Sequence, residues 1–136
     1  MSTIEFDLRP TSRRLDAYTR ELGVDISENP VELYRSALRN YWLRAFGRYY
    51  RGDVEVDGKR VALIELPKEY LPAFVLGMTD GFSTIWLRND LDHIFGYGAR
   101  KRVLEHEKEH VRDPLASEQT VRRRTHTESI GAYSLN

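Results

Sequence analysis

From Asn29 onward apolar side chains recur at helical spacing: Tyr34, Ala37, Leu38, Tyr41, Trp42, Ala45, Phe46 and Tyr49. Positions at i, i+3, i+4 and i+7 share one face of a helix, so this run predicts a core-facing helix. Asn29 suits the N-cap, Pro30 the first helical position and Glu32 the acid of a capping box. Gly52 marks the expected end. A shorter helix is predicted from Ser12 to about Glu21, stopped by Gly23. Arg35, Arg39, Arg44 and Arg48 fall off the apolar stripe. They read either as a solvated basic back or, with the aromatics, as a nucleic-acid surface. Burial is the better reading, because the spacing is the one a core requires.

Beyond Gly52 the period changes from helical to alternating. Val54 and Val56 alternate with polar residues, Asp57-Gly58 is a hairpin turn, and Val61 to Leu66 is the return strand, stopped by Pro67. Leu71 to Leu76 fits either a strand or a helical turn. Thr79-Asp80-Gly81 is a second turn, and Ser83 to Arg88 reads as a strand with two different faces. Residues 89–98 read as a loop. A long helix is predicted from about Ala99 to Asp113, ended by Pro114, and a last helix from Glu118 to about Tyr133, capped by Ser117. Helices within 1–52, a sheet within 53–90 and helices within 98–136 segregate along the chain. That order predicts one compact α+β domain over 1–136 with a small antiparallel or mixed sheet.

Composition narrows the chemistry. The 21 Lys and Arg balance 21 Asp and Glu, which argues against bulk-charge binding to nucleic acid or an anionic membrane. There is no cysteine, so disulfides, thiol catalysis and thiolate metal sites are out, and any transition metal must be held by His and carboxylate. No apolar run has membrane-spanning length, and Met1 to Arg9 lacks the pattern of a signal peptide. A cytoplasmic protein is expected. All four histidines fall late in the chain: His93, His106, His110 and His126.

Residues 106–110 read His-Glu-Lys-Glu-His, an H-E-x-x-H pattern. Histidines at i and i+4 on a helix can meet on one Zn²⁺, and the acid beside the first can handle the proton of an activated water. At about 100° per residue, Ala99, Val103, Leu104, His106, Glu107, His110 and Val111 fall on one arc. The opposite arc, Lys101, Arg102, Glu105, Lys108, Glu109, Arg112 and Asp113, is wholly charged. An accidental charge run would scatter the two histidines and Glu107 around the helix. All three share the apolar face, where Glu107, its lone acid, asks for a cation or a proton; a pair of satisfied core histidines is the bland alternative.

A catalytic zinc usually has a third protein ligand. The extended metzincin pattern is broken by Asp113 and Ala116. On the last helix, Val121, Thr125, Glu128 and Ala132 line up on one side, with His126, Ile130 and Tyr133 nearly opposite. Glu128 is therefore preferred over His126 as third ligand; its bland alternative is a salt-bridge acid beside the Arg122-Arg123-Arg124 run. For those three arginines, which fan around a helix, pairing with acids of the preceding helix is favoured over a joint basic patch.

With His106-Glu107-Lys108-Glu109-His110 followed by Glu128, the chain resembles the gluzincin clan of zinc metallopeptidases, and its size and element order resemble the very small minigluzincins. The resemblance covers about Ser83 to Tyr133. It implies zinc on His106, His110 and Glu128, Glu107 as general base and acid, and a peptide substrate held along the exposed edge of Ser83 to Arg88. It also implies an oxyanion donor, for which Tyr133, His126, His93 and Tyr97 are candidates. His93, beside Asp90 and Asp92, is a candidate outer partner of the metal, though a solvated loop is the favoured reading. The tail Tyr133-Ser134-Leu135-Asn136 is a candidate plug that keeps the enzyme latent. Two other classes stay open: an interaction module using the arginine-bearing helix, and a degenerate zincin that binds zinc without turnover.

Overall fold

The computed structural model describes residues 30–127. The predicted helix at Ser12–Glu21, the Asn29 cap, Glu128, Tyr133 and the C-terminal tail lie outside them.

Helix α1 (Pro30–Phe46) buries Tyr34, Ala37, Leu38, Trp42 and Phe46 of the face read from the spacing, but leaves Tyr41 and Ala45 of that stripe exposed. It ends earlier than expected. A 3₁₀ turn (Gly47–Tyr49) leads straight into strand β1 (Tyr50–Val56). Gly52 does not stop a helix. It sits inside β1 at φ 102°, where the register against strand β2 (Lys59–Leu66) shifts between Tyr50 and Asp53. An isolated glycine in a strand commonly marks such a bulge. Asp57 and Gly58 both take positive φ (51° and 80°) in the hairpin between β1 and β2, as predicted.

Leu71 to Leu76 is neither helix nor strand. It leads to strand β3 (Gly77–Thr79), then to the Asp80-Gly81 turn and strand β4 (Thr84–Arg88). The turn is fixed by the Asp80 carboxylate, which accepts N–H bonds from Phe82, Ser83 and Thr84 at 2.9, 2.7 and 3.0 Å. Arg35, expected on a solvated back, is only 5% exposed. Its Nε donates to the Phe82 carbonyl at 3.2 Å and its guanidinium lies 4.3 Å from the Phe82 ring centroid, so it clamps α1 to this turn.

The four-stranded sheet has the order β1-β2-β4-β3. It is mixed: β2 and β4 are parallel, the other pairs antiparallel. β4 is therefore central, bonded to β2 on one side and β3 on the other. The exposed edge expected along Ser83 to Arg88 is not there, because the three residues of β3, unreadable as a strand in sequence, cover it.

Both faces of the sheet are buried. Ile64, Leu66, Met78 and Trp86 pack against Tyr34, Leu38, Trp42 and Phe46 of α1, with Trp42 and Trp86 edge to face at 4.9 Å. Val61, Leu63, Ile85 and Leu87, the alternate positions, pack against Leu91, Ala99, Val103 and Val111. That second layer comprises a short helix α2 (Leu91–Phe95), inside the span read as a loop, and helix α3 (Ala99–Arg112). Helix α4 (Glu118–Thr125) follows. None of the described helices is long and apolar enough to cross a membrane.

Candidate metal centre

α3 carries the H-E-x-x-H pattern on the face predicted for it. Ala99, Val103, His106, Glu107, His110 and Val111 are buried, and Leu104 is half-buried at the margin. The charged arc is tied up at the surface: Arg112 pairs with Glu109 and Asp57, and Lys108 with Glu105. Of the arginine run, Arg124 pairs with Glu109 and Asp113 at 3.3 and 2.8 Å, while Arg122 lies beside Glu118 of its own helix.

The seat of α3 on the sheet depends on Gly77. A Cβ there would come within 2.7 Å of Val103 Cγ1, 3.0 Å of Leu87 Cδ2 and 3.3 Å of Glu107 Cγ. Only hydrogen at this position lets α3 lie so close to β3, with the stem of Glu107 directly over the strand.

α4 returns across α3 through the short connection Asp113–Ser117. Ser117 caps it, its hydroxyl accepting from the Thr120 N–H at 3.1 Å, and Glu118 occupies the first turn. The Glu118 carboxylate meets both histidines. Its Oε1 hydrogen-bonds His106 Nε2 and lies 3.3 Å from His110 Nε2. The imidazole centroids are 5.0 Å apart. One donor atom from each of His106, His110 and Glu118 can be chosen so that all lie within 4.8 Å of one another. Two imidazole nitrogens and a carboxylate oxygen so gathered could hold a metal ion.

The third group of this possible metal site is thus Glu118, which the sequence suggested only as the first residue of the last helix. It was findable. Glu118, Val121 and Thr125 stand at i, i+3 and i+7, the very face picked out for Glu128 but at its other end. α4 also stops sooner than predicted. His126 adopts φ 57° and ψ 41°, and the Thr127 N–H closes back on the Arg122 carbonyl at 2.9 Å. Nothing in the sequence near Thr125 announced this, since no glycine stands there. Glu128 itself lies outside the described residues, as does Tyr133. His126 is exposed at the end of α4, and His93 is exposed on α2. Neither belongs to the buried group.

Electrostatics divide the two site acids. Glu107 is wholly buried, and neither carboxyl oxygen has a hydrogen-bond partner among the described residues. Burial, and then the charge of Glu118, push its pKa well above the usual carboxylate value. Glu118 moves the other way. Burial opposes its ionisation, but the hydrogen bonds from His106 and His110 and their charge outweigh that, and its pKa falls to about 2. One acid thus favours its ionised form while its neighbour favours its proton. That is a division of labour suited to acid–base chemistry.

Comparison with protein-family models, with curated proteins and with solved structures gave no match.

Proposed function

We propose that this chain is a small gluzincin-like zinc-dependent metallopeptidase. The observation that carries the reading is the convergence of His106, His110 and Glu118 on one point, with Glu107 buried beside them. Two imidazoles and one carboxylate suit a catalytic zinc, which takes three protein ligands and keeps a position open. When bound, zinc would supply Lewis acidity toward a carbonyl and a nucleophilic water at neutral pH. Glu107 is the proton carrier, taking a proton from the attacking water and giving it to the leaving nitrogen. Its raised pKa suits the return step, and a cation nearby would favour the ionised form needed for the first. The partner is an extended peptide. With Ser83–Arg88 paired on both sides, that peptide must be held elsewhere; β3, whose Gly77 adjoins Glu107, is the candidate strand.

The enclosure of Glu107 favours a latent form of this enzyme, in which Tyr133 to Asn136 would act as the plug. It equally supports a second reading, a zincin that keeps its metal without turnover. Metal analysis and a peptide-cleavage screen with and without chelator separate them. Glu107→Gln should lose about 10²–10⁴-fold in turnover and retain stoichiometric zinc, whereas His106→Ala should lose the metal. Full activity in Glu107→Gln would sink the mechanism. Deleting residues 133–136 should raise activity. If the truncated, zinc-loaded protein cleaves nothing, the non-catalytic reading holds.

A further inference from the structure

Behind the metal face of His106 lies a second set of contacts that the proposed chemistry does not use. Its Nδ1 is 3.0 Å from the hydroxyl of Thr127, a residue with no exposed surface. That hydroxyl is 2.9 Å from the hydroxyl of Thr125, which in turn donates to the Val121 carbonyl at 2.8 Å. The far end of this chain has a fixed direction. A carbonyl can only accept, so the single Thr125 proton is committed to Val121. Thr125 then has only lone pairs to offer Thr127. The Thr127 proton can go to Thr125, or to the Arg122 carbonyl at 3.5 Å. With a metal on Nε2, Nδ1 carries the ring proton and Thr127 accepts it; in the metal-free protein Nε2 donates to the ionised Glu118, and the Thr127 proton can turn to Nδ1 instead.

We propose that Thr127 and Thr125 form a hydroxyl relay, anchored on a carbonyl of α4, that holds the His106 ring by its Nδ1 and so presents Nε2 to the metal. The inference rests on the metal-site reading above and names two positioning residues for it. Orientation of the ring by the partner of its second nitrogen is a general device of metal-bound histidine, usually supplied by a carboxylate or a backbone carbonyl. Here threonine hydroxyls would do it, and only because α4 ends where it does. The αL turn at His126 brings Thr127 back beside Thr125 rather than carrying it on around the helix. The relay also ties the end of α4 to the ligand on α3, while Glu118 at the start of α4 faces the other side of the same ring. Both ends of one short helix thus orient a single imidazole.

The test uses the full-length protein, metal-free and zinc-loaded, with long-range ¹H–¹⁵N correlation spectra of the histidines and zinc affinity from chelator competition. In the zinc-loaded wild type, His106 should carry a hydrogen-bonded, slowly exchanging proton on Nδ1. Thr127→Val should lose that protected proton and bind zinc about 10–100-fold more weakly, and Thr127→Ser should restore both. Thr125→Val should weaken the signal in the same direction and serves as the second probe if Thr127→Val does not fold. A zinc-loaded wild-type spectrum with Nδ1 unprotonated, or with its proton exchanging freely, overturns the relay. So does a folded Thr127→Val protein with unchanged zinc affinity and an unchanged Nδ1 proton. Failure of wild type to bind zinc at all would overturn the metal-site reading, whereas zinc binding with an unprotected Nδ1 would overturn the relay alone.

Discussion

The proposed chemistry turns on two glutamates that composition cannot tell apart. Glu107 sits among Val103, Leu87 and Gly77 with no hydrogen-bond donor among the described residues, and Glu118 faces two imidazoles. Identical side chains are thereby given opposite protonation preferences by their surroundings. The placement of Glu107 followed from the sequence, because one helix suffices to put it beside His106 and His110. The placement of Glu118 did not, because it depends on how the chain turns at Asp113–Ser117 and which end of α4 comes to rest over α3. At this scale the discriminating experiment is a pair of substitutions. Glu118→Ala should weaken zinc binding by more than the about 10–100-fold typical of losing an outer partner. Glu128→Ala should leave it near wild type. Zinc titration of both variants reads this directly, and the reverse ranking would return the third ligand to Glu128.

At the scale of elements, helices with a strong apolar face were legible, and short elements were not. α1 and α3 have enough turns for their periodicity to stand out against noise. β3 has three residues, and α2 five, too few for any period to register. Missing β3 had a consequence, since without it Ser83 to Arg88 looks like an edge. The strand that covers that edge also carries the glycine on which α3 rests. Gly77→Ala should therefore destabilise the fold by about 1–3 kcal/mol, the range for overpacking a close contact. It should also disturb Glu107 more than the histidines, since Glu107 Cγ is among the atoms a new methyl would strike. Chemical denaturation gives the first quantity. A comparison of zinc affinity with turnover gives the second, and turnover should suffer more.

For the whole molecule, the site is a charge arrangement buried between α3 and α4 beside the sheet, so stability and protonation are linked. Glu107 has a folded pKa above its ordinary 4.5. The folded chain therefore keeps a proton that the unfolded chain releases, and the stability due to this group is lost as pH rises from about 4.5 through the folded value. Glu118 has the opposite sign: its contribution is present above 4.5 and lost as pH falls toward about 2. Metal-free protein should consequently lose thermal stability on the alkaline side of about pH 5, and Glu107→Gln should flatten that limb while leaving the acid limb in place. Melting curves across pH on chelator-treated protein measure both. Parallel curves for wild type and Glu107→Gln would exclude Glu107 as the source.

The sequence by itself determined what local periodicity can specify: the buried face of α1, the hairpin at Asp57-Gly58, the Ser117 cap, and the placing of His106, Glu107 and His110 together on the apolar face of α3. Each depends on neighbours within a turn or two of helix or strand, where backbone geometry alone fixes which side chains meet. Tertiary structure decided the rest. It made β4 a central strand, turned Gly52 into a bulge, drew Arg35 inward onto Phe82, ended α4 at Thr125 and set Glu118 and Thr127 on opposite sides of His106. Those outcomes depend on contacts between segments that the chain brings together only on folding, through connections such as Asp113–Ser117 whose course no repeat or period records.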